Sequence, residues 1–152
     1  ELTYQKGTHF NEKETSDSRM ARWQSAVKVI KENPYKGYGN YSERKYLLAQ
    51  YEKDGLTYSI SQRYDTHNNY LSYLIEYGIW GFALLILFLL QQFYISIRNR
   101  DAVFIFYLVL LTILGLTENY LRRGEGVLFT SLFTTYFMMY NLWFKRNHSD
   151  DL

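Results

Sequence analysis

The sequence predicts a mainly α-helical integral membrane protein, in which an extracytoplasmic helical loop region leads into three transmembrane helices. Three observations predict this. Charge is placed unevenly: residues 1–77 hold 11 of the 17 Lys/Arg and 10 of the 15 Asp/Glu. Between residues 78 and 144 charged side chains fall only in two short clusters, at 98–101 and 118–125. The uncharged stretches left between those clusters are long enough to cross a hydrocarbon layer of about 30 Å. A mean hydropathy of -0.30 therefore averages a polar half and an apolar half.

Within the polar half, residues 1–17 read as irregular and exposed. Asp17 or Ser18 can cap a helix from Arg19 to about Glu32, which Asn33-Pro34 stops. On that helix Met20, Trp23, Ala26, Val27 and Ile30 form an apolar stripe, with Arg19 projecting within it and Arg22 on its flank. Residues 34–40 are turn material with two glycines. Residues 41–62 are polar and tyrosine-rich, and predict a short helix followed by a loop. Thr66 can cap a second helix that begins at His67 and runs to Tyr77.

The apolar half divides into spans at 78–97, 102–121 and 127–144, followed by a tail at 145–152. Arg98 and Arg100 in the first connection, and Lys145 and Arg146 after the last span, lie on one side if there are three spans. Short basic loops stay cytoplasmic, which puts residues 1–77 and the connection 119–126 outside. An outward-facing segment with no signal peptide predicts that earlier spanning helices precede Glu1. The net charge of +2 is too small to imply a nucleic-acid partner, and the absence of cysteine excludes disulfides and thiol catalysis.

No phosphate-binding glycine loop, zinc-spaced His/Cys cluster or Gly-x-Ser-x-Gly is present, and no metal or other cofactor is predicted. His67 stands out among the three histidines because it opens a helix that leads into the membrane. There the macrodipole disfavours imidazolium, so the sequence predicts a neutral ring able to accept a proton. Arg122 and Arg123 lie on the side where basic residues are disfavoured; they either reach toward lipid headgroups or meet an anion. Tyr70 and Tyr73 either stack on a sugar or anchor their helix at the interface. Trp23 reads as core and Glu76 as structural. Glu118 and Arg122, at i and i+4, can pair.

The run His67-Asn68-Asn69-Tyr70-Leu71-x-x-Leu74-x-Glu76-x-Gly78-x-x-Gly81 ahead of a spanning helix resembles the signature of the O-antigen ligase and polymerase family. Upstream, Arg19-x-x-x-Trp23-x-x-Ala26 and Asn33-Pro34-x-x-Gly37-x-Gly39 resemble that family's earlier motif in order and spacing. The resemblance implies a multi-pass protein of the bacterial inner membrane, with residues 1–77 periplasmic or extracellular. It implies metal-independent transfer of a glycan from an undecaprenyl-pyrophosphate carrier to an acceptor. The acceptor is the lipid A core in ligases and a carrier-linked glycan in polymerases. An essential arginine and histidine of the family match Arg19 and His67, with Arg22, Arg122, Arg123 and Tyr70 as further candidates for substrate binding. Another family arginine, from an earlier loop, falls outside this chain, which predicts that the isolated fragment is inactive. The competing expectation is a non-enzymatic membrane component of polysaccharide export that binds the same lipid-linked glycan and gives His67 no role.

Overall fold

A computed structural model describes residues 17–144, so the expectations for residues 1–16 and for the tail at 145–152 lie outside the described residues. The described residues are mainly helical and contain no strand. The chain forms two compact units, residues 1–82 and 83–152, whose boundary falls inside one helix.

In the first unit α1 spans Arg19–Glu32. Ser18 caps it, its Oγ accepting the Ala21 N–H at 3.0 Å. Asp17 is not the cap; its carboxylate accepts the Ser59 N–H at 2.7 Å. The buried side of α1 is Ala21, Arg22, Ser25, Ala26 and Val29, rotated from the expected stripe, and Met20 and Val27 stay exposed. Small residues let α2 (Glu43–Asp54) approach this face closely, so packing follows shape rather than hydropathy. Gly55, at φ +74°, ends α2 in the left-handed conformation, and the Leu56 N–H returns to the Tyr51 carbonyl at 3.0 Å. A short α3 (Thr57–Ser61) follows where the sequence predicts loop. Ala21, Ala26, Val29, Leu47, Tyr51, Leu56 and Ile75 make the core.

Helix α4 spans Asn69–Arg98 and is interrupted at Gly78, whose φ of 62° and ψ of -165° are not helical. The break falls at the boundary the sequence predicts between the outer helix and the first span. It frees the carbonyls that the next turn would have used, and residues 34–39 supply the replacements. Tyr38 N–H donates to Ile75 O at 2.9 Å and Gly39 N–H to Glu76 O at 2.8 Å, while Ile79 N–H donates to Pro34 O at 2.8 Å. The backbones approach so closely that a Cβ on Gly37 would lie 2.5 Å from Glu76 O.

In the second unit, Asp101 Oδ1 accepts the Phe104 N–H at 3.0 Å and so caps α5 (Ala102–Thr117). Phe104, Leu108, Leu111 and Gly115 form its buried stripe. Phe104 stacks on Phe137 of α6 (Gly124–Met139), with ring centroids 5.0 Å apart. Helix α5 ends four residues before the expected limit of the span, because Glu118 is extended and residues Tyr120–Arg122 form a 3₁₀ turn. Helix α6 starts three residues before its expected span and closes in a π-helical turn, Tyr140–Phe144. There Asn141 Nδ2 donates to Asp101 Oδ2 at 2.8 Å. Among the described residues one helix, Asn69–Arg98, is long and apolar enough to cross a membrane, and α5 is a shorter apolar helix. Large apolar side chains such as Trp80 (69% exposed) and Leu128 (70%) stand outward along these helices, a surface suited to lipid or to other helices rather than to water.

Candidate active site

The site grows from a short loop between α3 and α4. Asn68, not Thr66, caps α4: its Oδ1 accepts the N–H groups of Tyr70 at 3.0 Å and Leu71 at 3.1 Å. His67 therefore precedes the helix rather than opening it, and its φ of 46° is left-handed. The expectation that Thr66 caps a helix beginning at His67 is corrected accordingly. Both residues suit a cap, but the Thr66 hydroxyl is engaged elsewhere, 3.0 Å from Ser72 Oγ.

Asp65 supports the backbone at His67 and stands beside its ring, where a carboxylate acts in the opposite sense to the helix N-terminus that the sequence predicts there. Its Oδ1 accepts the His67 N–H at 2.9 Å and lies 3.6 Å from His67 Nε2. The imidazole retains 24% exposure. Its ring meets Tyr64 edge-on, with centroids 5.8 Å apart, and the Arg22 guanidinium sits 4.6 Å from the centroid of the same Tyr64 ring. Arg22 is thus buried and one aromatic ring removed from His67, whereas Arg19 lies on the exposed side of α1. Tyr51 is fully buried beside this cluster. Burial pushes its hydroxyl far above the usual tyrosine range; Arg22 opposes the shift, and Glu43, Asp65 and Asp17 add to it.

The backbone before His67 is held by two side chains, Trp23 and Glu43, and Ser72 braces the second. Trp23 Nε1 donates to Thr66 O at 2.9 Å, Thr66 N–H donates to Glu43 Oε1 at 2.9 Å, and Ser72 Oγ donates to Glu43 Oε2 at 2.9 Å. Trp23 is therefore a fastener between α1 and the His67 loop as well as a packing residue. Nothing in the sequence marks Glu43 as buried, because an acid in a first helical turn normally faces solvent and complements the dipole. Asp65, two residues before His67, carried a readable signal as a short-range hydrogen-bond acceptor.

The other sequence-chosen residues are placed as follows. Tyr70 is half-buried and meets Phe82 edge-on at 6.4 Å, which fits an anchoring role. Glu76 is buried. Arg122 and Arg123 belong to the second unit, where an Arg123 nitrogen lies 3.8 Å from Glu118 Oε2. A groove of about 240 Å³ opens beside α1 and α2, lined by Ser25, Lys28, Lys53 and Asp54 among others. None of the residues around His67 lines it. Among the described residues no three His, Asp or Glu side chains gather as a metal site would need.

Among the described residues, a helix long and apolar enough to cross a membrane follows a polar unit in which a carboxylate lies beside a histidine, an arrangement that suits a membrane-associated protein. More narrowly, residues 2–86 match the family model described as O-antigen ligase, and the chain belongs to that family. That is an enzyme family, membrane-associated, with a glycosyltransferase-like function acting on lipid-linked glycan and polysaccharide substrates. No curated protein sequence and no solved structure matches the chain.

Proposed function

We propose that the protein transfers a glycan from an undecaprenyl-pyrophosphate carrier to an acceptor sugar, at the outer face of the bacterial inner membrane and without a metal. The acceptor oxygen attacks the anomeric carbon as the bond from that carbon to the pyrophosphate oxygen breaks. His67 receives the acceptor proton, the pyrophosphate leaves with the electron pair, and attack opposite the leaving group inverts the anomeric centre. Arg19 meets the departing pyrophosphate with its planar pair of N–H donors. Lipid A core and carrier-linked glycan are the two acceptors the reading admits.

One observation carries this reading above the others. The Trp23–Thr66 hydrogen bond of 2.9 Å fastens the helix that bears Arg19 to the loop that bears His67. That bond supports reading the two motifs as parts of one site. The exposed face of Arg19 and the partial exposure of His67 leave both accessible to substrate.

The test is transfer by the full-length, membrane-inserted protein with purified carrier-linked glycan. His67→Gln keeps hydrogen-bonding capacity but cannot take the proton, and turnover should fall by about 10²–10⁴-fold with insertion and carrier binding unchanged. Near-normal turnover by this variant would remove the catalytic reading and leave a protein that only binds the lipid-linked glycan.

A further inference from the structure

The carboxylate of Glu43 reaches across from α2 to the loop that presents His67. Its side chain is wholly buried, and each of its oxygens receives a hydrogen bond of 2.9 Å, one from Thr66 N–H and one from Ser72 Oγ. Thr66 immediately precedes His67, and Ser72 lies in the first turns of α4, so the two donors flank His67 in the chain. Thr66 Oγ1 and Ser72 Oγ are themselves 3.0 Å apart, which closes a ring of three side chains beneath the loop. The opposite side of Thr66, its carbonyl, is held by Trp23. A left-handed residue next to such a clamp keeps its conformation only while the clamp holds.

We infer that Glu43 is a positioning residue for His67, fixing where the imidazole stands relative to the acceptor hydroxyl without touching substrate itself. The inference rests on His67 being the base. Charge-assisted acceptance by both oxygens makes the clamp stiffer than a neutral group would. Loss of the carboxylate leaves the fully buried Thr66 without its acceptor, and the loop must move to recover one. A displacement of about 1 Å at a catalytic group costs about 10²-fold in rate.

Glutamine distinguishes this role from simple filling of space. Its carbonyl oxygen can still accept the Thr66 N–H, and its amide can donate to Ser72 Oγ, whose own proton then turns toward Thr66 Oγ1. Glu43→Gln should therefore keep most of the placement, and Glu43→Ala should lose it.

The experiment measures kcat and KM for carrier-linked glycan in the full-length protein for Glu43→Ala, Glu43→Gln, Ser72→Ala, His67→Ala and the Glu43→Ala/His67→Ala pair. Glu43→Ala should lower kcat by about 10²-fold with KM within about twofold, and Glu43→Gln should recover most of that loss. Ser72→Ala removes one arm of the clamp and covers the case in which Glu43→Ala fails to insert; it should lower kcat with KM unchanged. The double variant should be no slower than His67→Ala. Normal kcat in Glu43→Ala, or in Ser72→Ala where Glu43→Ala fails to insert, overturns the positioning role, as do a glutamine variant as slow as alanine and a double variant slower than His67→Ala. If His67→Ala itself turns over normally, the catalytic reading of His67 fails, which is a different result from a dead His67→Ala beside normal Glu43 variants.

Discussion

Gly37 and Gly78 lie backbone to backbone, so that a Cβ added to Gly37 would stand 2.6 Å from the Gly78 nitrogen. Both have positive φ, 67° and 62°. The two motifs that sequence alone could only order along the chain therefore meet through main chain, with the turn at 34–39 filling the hydrogen bonds that the break in α4 leaves open.

Alanine at Gly37 should cost about 1–3 kcal/mol from forced separation of the two backbones, and the left-handed conformation adds about 1–2 kcal/mol. Gly39, at φ 97°, faces open space, with no atom within 4 Å of where a methyl group would stand, and should show only the conformational cost. Thermal unfolding of the full-length protein in detergent checks the order. Equal losses at the two positions would show that the close approach does not exist.

Arg19 and Arg22 should separate by readout. Arg19 is exposed, so Arg19→Lys should leave stability unchanged while transfer falls by about 10²-fold, through loss of the planar donor pair. Arg22 lies buried against the Tyr64 ring, and Arg22→Ala should lower stability by about 2 kcal/mol. Paired measurements of unfolding midpoint and turnover decide it; the reverse pattern would make Arg22 the phosphate-binding arginine.

Asp54 ties the end of α2 to α1. Burial opposes its ionisation, but hydrogen bonds from Lys28, Ser25 and Gln50 outweigh that and hold the carboxyl below its usual range. Because the folded value lies below the unfolded one, the stabilisation is present above about pH 4. It is lost as pH falls through the lowered value. Asp54→Asn should be less stable than wild type at neutral pH, and the gap should narrow in acid. A gap that stays constant between pH 7 and pH 3 would assign the loss to packing.

Topology is tested by cysteine accessibility in intact cells. Gly124→Cys should label from outside, and Arg98→Cys only after permeabilisation, because the basic connection 98–101 is expected to stay in the cytoplasm. Both positions are exposed in the fold. Outside labelling of Arg98→Cys would reverse the orientation.

The helical class, the ends of α1 and a segment boundary at residues 77–78 were legible because caps, Pro34 and a long uncharged run are local signals, whereas the backbone break at Gly78 shows only in the fold. The buried face of α1 was not, since Ala21, Ser25 and Ala26 carry little hydropathy and win by fitting closely against α2. Thr66 reads as the cap from sequence, because nothing local shows that Ser72 approaches its hydroxyl and that Asn68 caps instead. His67 stands out in the sequence by its motif, whereas Glu43 and Tyr64 acquire their meaning from contacts between residues more than twenty positions apart or on different elements.

The left-handed backbone at His67 sets local stability against the base role proposed for it. Glycine would relax that conformation by about 1–2 kcal/mol, so His67→Gly should leave the fold as stable as wild type or more so while removing the proposed base. A library selected only for heat resistance would then drift toward inactive proteins at this position, because thermal tolerance and turnover pull residue 67 in opposite directions.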